Sequence, residues 1–539
     1  MVDIKIVGGQ IADGSGRPLY RADVAVTGDK IVAIGDLTHV ESRYTVDAAG
    51  KIVSPGFIDI HTHSDVTMLL DEDADSGIRC GVTTQITGNC GLGVAPLLHP
   101  DRAMQIKFIK SSIAGKFVGV DDFPWSDFAG YHDYIRKHPT MINMGSLIAH
   151  GSVRLSEMGM SADVADAAQT LRMRKMAEEG MEAGAFGMSS GLSYSPGDFV
   201  RKEEIAEIAK ALAPYAGIYT SHIRNQAEGT FDSLEETLFV ARTAQIPMHV
   251  SHLKLASPTM WGKTDEVFEW FERVRASGTP ATFDVYPYTR GASNLLRLLP
   301  PWSKEGGVMQ AVRRASDPAI RKDILRDFRN GIPGWENIAN NVGWQNIFLT
   351  TFRLEKYKEC DGWSVQQIAD HFGKDPYELY LDVLIEEEGE VNILVATMST
   401  QDMEAFMVYP GSIIISDGQS QPLSEKFKYG MEHPRVYGTQ AKVLGEFVRE
   451  KHVLTLEEAI KKMTWLPAEL LGIRKRGKIE EGYYADITVF DPQTIADTAT
   501  FAVPRSSPIG IEAVVVNGVL AFTNGVILNK SSGRLLTKN

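Results

Sequence analysis

Cysteine, basic charge and long apolar runs are all scarce in this sequence, and each scarcity excludes something. Three cysteines, Cys80, Cys90 and Cys360, among 539 residues cannot build a disulfide framework, which leaves reduced thiols open to metal binding or catalysis. The 55 Lys and Arg against 69 Asp and Glu give a formal net charge of -14, the wrong sign for a nucleic-acid or anionic-membrane partner. No segment stays apolar for the ~18 residues of a membrane span. The start, Met1-Val-Asp-Ile-Lys-Ile-Val-Gly8, alternates polar and apolar residues and lacks the basic and apolar regions of a signal peptide. A cytoplasmic protein without nucleic-acid or membrane partners is therefore expected. Internal repeats and low-complexity tracts are also missing.

What is present is ample core material: 43% of residues are hydrophobic and 23% charged, ordinary globular usage. The length exceeds what one core usually serves, so a large domain with a smaller companion is expected. Residues 1–54 hold short alternating segments, Asp3-Ile-Lys-Ile-Val7, Asp23-Val-Ala-Val26 and Lys30-Ile-Val-Ala-Ile34, separated by Gly-rich turns. The same texture returns within 466–539, in Ala485-Asp-Ile-Thr-Val-Phe490 and Ile511-Glu-Ala-Val-Val-Val516. The two ends are expected to pair into one small β-sandwich.

Between them, over 55–465, short β-rich runs alternate with segments of helical period, the pattern of a parallel sheet with crossover helices. Eight runs are legible: Val53–His63, Val82–Cys90, Met141–His150, Gly184–Ser190, Ile218–His222, Pro247–His252, Ala281–Tyr286 and Ser412–Asp417. The spacing predicts helices over Asp163–Ala183 and Arg201–Tyr215. Eight strands with crossovers suggest an α/β fold closed as a (β/α)8 barrel. The gap before the eighth run, roughly 295–405, exceeds any crossover and predicts an insertion or lid, with helical period over Glu305–Asn330.

Active sites of such barrels lie at the C-terminal ends of the strands, and five of these runs end in residues suited to metal or proton chemistry. In Asp59-Ile-His61-Thr-His63 the i, i+2 spacing puts both imidazoles on one side of a strand. Cys90 sits at the Gly-rich exit of its run, Gly88-Asn-Cys-Gly-Leu-Gly93, and thiolate is a good zinc ligand. His222 and His252 each close a run after a serine. Parity along the sixth run assigns His252 to the site and leaves His249 as a structural histidine on the other face. His150 also ends a run and is expected to stand behind the site, orienting a ligand or a loop. Asp417, at the exit of Ile413-Ile-Ile-Ser-Asp417, could cap a turn. Beside a metal, its carboxylate would instead serve as the base that a hydrolase needs.

Taken together, Gly56-Phe-Ile-Asp-Ile-His-Thr-His-Ser-Asp65, Gly88-Asn-Cys-Gly91, Ser221-His222, Ser251-His-Leu-Lys254, Asp284-Val-Tyr-Pro-Tyr288, Ser416-Asp-Gly418 and Gly477-Lys-Ile-Glu-Glu-Gly-Tyr-Tyr-Ala-Asp486 resemble the N-acyl-D-amino-acid deacylases (D-aminoacylases) of the amidohydrolase superfamily. Many binuclear relatives bridge their metals with a carboxylated lysine on the fourth strand, where Gly184-Ala-Phe-Gly-Met-Ser-Ser-Gly191 has none. The resemblance implies that Cys90, His222 and His252 hold a tight Zn2+. It places His61 and His63 at a weaker second site, and Asp417 at the general acid/base. It further implies that Lys254, Tyr286 and Arg435 bind or border a small-molecule N-acyl amino acid.

Two departures from the family pattern fall at the pocket: Ala292 where the family commonly has serine, and a long stretch between Asp417 and Arg435. The expected activity is zinc-dependent hydrolysis of an N-acyl-D-amino acid, or a related N-acyl amine, to a carboxylate and a free amino acid. The alternatives are a cyclic-amide hydrolase or deaminase of the same superfamily, and a non-catalytic scaffold on its fold. Homo-oligomerisation is left open.

Overall fold

The computed structural model describes residues 1–112, 122–424 and 432–538. Its centre is a ring of eight parallel strands: β1 (Phe57–Asp59), β2 (Val82–Thr87), β3 (Asn143–Ser146, continued by Ile148–Ala149), β4 (Gly187–Gly191), β5 (Ile218–His222), β6 (Met248–Val250), β7 (Ala281–Val285) and β8 (Ile413–Ile414). Each pairs in parallel with the next: β1 through β3 in one sheet, and the continuation of β3 through β8 in another. The two sheets meet on both sides. Leu147 N–H donates to Thr87 O at 2.9 Å and Phe186 N–H to Ser146 O at 3.0 Å. At the other seam Asp417 N–H donates to His61 O at 3.0 Å and His63 N–H to Gly418 O at 2.7 Å. The closed barrel has no free strand edge.

These strands are buried on both faces, as a sheet sheathed in helices requires. Every residue of β2 and β4 is buried. The helix read from the sequence at 163–183 runs over Ala167–Glu182. It begins late because Asp166 accepts from the Gln169 N–H while the Gln169 side chain accepts from the Asp166 N–H, a capping box that sets the first turn. The segment from 201 is helical over Lys202–Ala209, then tightens to a 3₁₀ turn through Tyr215.

The first run of the sequence divides. Ile52–Pro55 leaves the barrel and lies between Gln10–Ile11 and Ile487–Phe490 in a seven-stranded sheet drawn from both ends of the chain. A four-stranded sheet of the N-terminal 47 residues faces it. Ile4, Ile6, Val24, Val53, Val489 and Val515 fill the space between the two. This sandwich is tied to the barrel floor by polar groups: Asn143 of β3 donates to Asp486 at 3.1 Å, and Asn517 donates to Asn143 at 2.7 Å.

After β7 the chain forms an antiparallel three-stranded sheet, Arg290–Asn294, Asn392–Ala396 and Ile347–Thr350, with Asn392–Ala396 in the middle. Helices Val308–Ser316, Pro318–Asn330, Val365–Phe372 and Pro376–Glu386 cover it. Two of them begin at Asp-Pro pairs, Asp317-Pro318 and Asp375-Pro376, where the carboxylate caps free N–H groups and proline fits the first turn. Leu295, Phe328, Trp344, Tyr380 and Ile393 form a core separate from that of the barrel. Among the described residues no helix is long and apolar enough to cross a membrane.

Candidate active site

The C-terminal ends of the strands bring His61, His63, Cys90, His222, His252 and Asp417 to one place. Cys90 Sγ lies 3.2 Å from His61 Nε2 and 3.3 Å from His252 Nε2. The His222 ring stands 4.4 Å from the His252 ring, centroid to centroid, and hydrogen-bonds the thiolate. Asp417 Oδ1 is 3.2 Å from His63 Nε2 and 3.4 Å from His61 Nε2. One ligand atom from each of His61, Cys90, His252 and Asp417 lies within 4.8 Å of the others. Two ligands of a tetrahedral zinc, at about 2.0 and about 2.3 Å from the ion, are themselves about 3.5 Å apart. The sulfur–nitrogen spacings and the N, S and O donors therefore fit zinc.

The backbone pays attention to these side chains. Cys90, His252 and Asp417 have φ of 55°, 36° and 52°, left-handed values that bulky residues adopt only where surroundings hold them, and that collect at functional sites. The glycines around Cys90 are needed for the approach of neighbouring strands: a Cβ on Gly91, itself at φ +67°, would lie 2.7 Å from Gly191 N.

Electrostatics follow from burial and close packing. Burial alone would hold the Cys90 thiol protonated, but His61 and His252 outweigh it and drive its pKa well below the ordinary value. Burial likewise opposes a charged Asp417; the Arg435 guanidinium, 2.6 Å from Oδ2, prevails and keeps the carboxylate ionised. His222 is pushed down to about 3, first by burial and then by His252. A neutral imidazole is the form that binds metal.

Sequence reasoning missed four residues that position this cluster. Asp284, at the end of β7, accepts from both His61 Nδ1 (3.1 Å) and His249 Nε2 (2.9 Å), and also takes the His252 backbone N–H. A carboxylate behind an imidazole fixes its tautomer and ring plane. Asp59 accepts from the His61 N–H at 3.3 Å and the Ser416 N–H at 3.2 Å, so it joins the first and last strands under the site. Ser193 Oγ is 2.8 Å from His222 Nε2, and Tyr194 donates to Cys90 O at 2.8 Å. Asp284 and Asp59 both lay inside quoted motifs; a carboxylate closing a buried barrel strand was the available signal.

His249 is a correction. The alternation of faces placed it away from the site, yet it is bonded to the Asp284 that holds His61. Parity fails because β6 stops at Val250 and the chain turns before His252. His150 opens the helix His150–Met158, with Nε2 3.6 Å from Glu204, which also pairs with Arg154. The described contacts join it to that pair and not to the six clustered residues.

A cavity of about 580 Å³ opens above the cluster, between the barrel and the insertion, and reaches Lys254, Tyr286 and Arg435. Lys254 Nζ is 3.3 Å from His252 Nδ1 and 5.0 Å from the centre of the Tyr286 ring, and Arg435 stands 5.4 Å from that ring. Among the described residues the Tyr286 hydroxyl is buried without a hydrogen-bond partner. Ala292 and Ser293 line the cavity, and the stretch before Arg435 lies in part, 425–431, outside the described residues.

The model of the amidohydrolase family matches residues 44–320 and 431–522. The chain belongs to this family. D-aminoacylase of Alcaligenes xylosoxydans xylosoxydans is 31% identical over 99% of this amidohydrolase and 98% of that enzyme. N-acyl-D-glutamate deacylase of the same organism is 31% identical over 100% of this chain and 97% of that one. Among solved structures, the N-acyl-D-glutamate deacylase of Bordetella bronchiseptica, complexed with zinc and a phosphonate inhibitor that mimics the tetrahedral intermediate, superposes with a TM-score of 0.82. It is 30% identical and covered over 99% of both chains.

Proposed function

We propose that this amidohydrolase is a zinc-dependent deacylase that hydrolyses N-acyl-D-amino acids to a carboxylate and a free amino acid. The observation that carries the reading is the Cys90 thiolate between His61 and His252, with the Asp417 carboxylate beside them. Full-length similarity to enzymes that deacylate N-acyl-D-amino acids supports it.

Cys90, His222 and His252 are the residues that would hold the tight zinc, with His61 and His63 beside a weaker second position. Bound zinc supplies a Lewis acid for the scissile carbonyl and makes water a nucleophile near neutral pH. Asp417 is ionised and faces the ligands, so it takes the proton released as water adds and returns it to the departing nitrogen. Asp284 holds the His61 ring from behind.

Lys254 and Tyr286 receive the substrate. Among the described residues Lys254 has no carboxylate partner and the Tyr286 hydroxyl no hydrogen-bond partner. An amino-acid carboxylate satisfies both through charge-assisted hydrogen bonds. Arg435, at 2.6 Å from Asp417, lies close enough to help, while its first duty is to keep Asp417 ionised.

The test is amine release from a panel of N-acetylated D- and L-amino acids by zinc-loaded protein, with and without a chelator. Hydrolysis of D-substrates that stops on chelation and returns with zinc is the expected result. Turnover indifferent to the chelator, or confined to L-substrates, would overturn the reading.

A further inference from the structure

N-acyl-D-amino acids divide by charge: a neutral side chain leaves the substrate with one carboxylate, whereas D-glutamate and D-aspartate carry two. Sequence similarity does not choose between these classes. D-aminoacylase, N-acyl-D-glutamate deacylase and N-acyl-D-aspartate deacylase of one organism are 31%, 31% and 30% identical to this chain.

The wall of the cavity does choose. Besides Lys254 and Arg435, two buried cations line it, Arg297 and Lys304, both contributed by the insertion. Either could greet a second carboxylate. Each already has one of its own. Arg297 Nη2 is bonded to the Glu336 carboxylate, and the two side chains are 7% and 3% exposed. Lys304 Nζ is 2.6 Å from Asp198 Oδ2, with exposures of 3% and 6%. Arg435 is likewise matched by Asp417 at 2.6 Å. Among the described buried cations of this wall, Lys254 is left without a carboxylate.

Two further carboxylates line the cavity, Asp101 and Glu432. Glu432 lies on the Arg435 side of the cavity, lifted to about 7 by burial, and adds no cation. Apolar and pliant side chains also line the cavity, among them Met104 and Phe108 from the helix Arg102–Ser112, Met160 and Met309, while Lys107 of that helix is an exposed cation at its edge. Unbranched methionines adapt to apolar groups of different shape.

We infer that Glu336 and Asp198 are specificity-determining residues, built-in counter-ions that neutralise Arg297 and Lys304, so that the site takes N-acyl-D-amino acids with a neutral, apolar side chain and rejects those with an acidic one. This rests on the deacylase reading above. A second substrate carboxylate would have to displace an internal one or lie beside it unpaired, and like charges crowded in a desolvated pocket repel strongly. Selectivity here comes from a repulsive element as much as an attractive one.

The experiment compares kcat/KM for N-acetyl-D-methionine, N-acetyl-D-glutamate and N-acetyl-D-aspartate in the zinc-loaded wild type and in Glu336→Gln, which keeps the shape and a hydrogen-bonding oxygen. The wild type is expected to favour the methionine substrate over either acid by about 100-fold or more. Glu336→Gln frees the Arg297 charge and should narrow that ratio for N-acetyl-D-glutamate by about tenfold, through a lower KM. Thermal denaturation and zinc content establish that the variant is folded and loaded. The double variant Arg297→Met/Glu336→Gln removes the cation and its counter-ion together, and should not admit the acid. A wild type that cleaves N-acetyl-D-glutamate or N-acetyl-D-aspartate as well as the methionine substrate sinks the inference while the deacylase reading stands. An unaltered ratio in folded Glu336→Gln sinks the role of Glu336. If none of the three substrates is cleaved, the deacylase reading falls and takes this inference with it.

Discussion

The rim of the barrel and the insertion that roofs it are built on opposite terms. At the rim, reactive side chains from several strands crowd within hydrogen-bond distance, and Cys90, His252 and Asp417 bend the backbone to get there. Asp284 holds His61 and His252 at once, and Asp59 ties the His61 N–H to that of Ser416, the residue before Asp417. The insertion instead has its own apolar core around Phe328, Trp344 and Tyr380, and it meets the cavity with neutralised ion pairs and flexible apolar side chains. The difference separates two tasks. Bond cleavage needs fixed geometry, which closed strands supply; choice of substrate needs a wall that can vary without disturbing it.

The sharpest way to break this division is Asp417→Asn. It preserves shape and leaves the histidine and cysteine ligands in place, but the amide cannot accept the proton. A fall of about 1000-fold in kcat with zinc content retained is expected, measured by steady-state kinetics and metal analysis. Activity close to the wild type would move the proton transfer to another group.

Next in size is Asp284→Asn, which touches no substrate. The carboxylate holds His61 and His249 at 3.1 and 2.9 Å. Burial opposes its charge, yet those two histidines bring its pKa below the usual range. Losing that charge should weaken metal binding or activity by about 10- to 100-fold. Zinc affinity by competition with a chelator is the readout that separates it from a purely structural lesion; unchanged affinity in a folded variant would show that Asp284 does not position His61.

The smallest effect concerns the outer layer, where pH acts on stability without reference to the site. His132 is buried, with Nε2 2.6 Å from Ser146 Oγ and Nδ1 3.0 Å from Ala183 O. Burial lowers its pKa from 6.5 to about 4. Between those values the unfolded chain binds a proton that the folded one refuses, so stability is intact above the unfolded pKa and is lost as pH falls towards 4. At about pH 5 the loss amounts to about 2 kcal/mol. Urea denaturation at pH 7 and at pH 5 should show His132→Asn losing less stability than the wild type across that interval; equal losses would assign the acid sensitivity elsewhere.

Much of this was legible in the chain. The eight strands could be found because residues sheathed on both faces form short apolar runs. The termini showed their pairing through alternation, as in Ile4-Lys5-Ile6 against Val489 and Val515. Histidine, cysteine and aspartate at run ends marked the cluster because a residue just past a buried strand emerges at the mouth of the barrel. His249 was misplaced because alternation holds only while the strand lasts. Asp284 and Asp59 carried no role of their own, since a carboxylate at a strand end looks the same whether it caps a turn or holds an imidazole.

The sequence by itself determined the layered architecture and the chemical type of the reactive groups, because periodicity and residue identity are local properties. Only the tertiary structure decided which charges remain free. Arg297 and Glu336 are 39 residues apart and Lys304 and Asp198 lie in different parts of the fold. Charge neutralisation in a desolvated wall depends on distances of a few ångströms between side chains that the chain brings together only when it closes. For the same reason Cys90 was visible as a candidate ligand from its glycines, while its ionisation had to await His61 and His252.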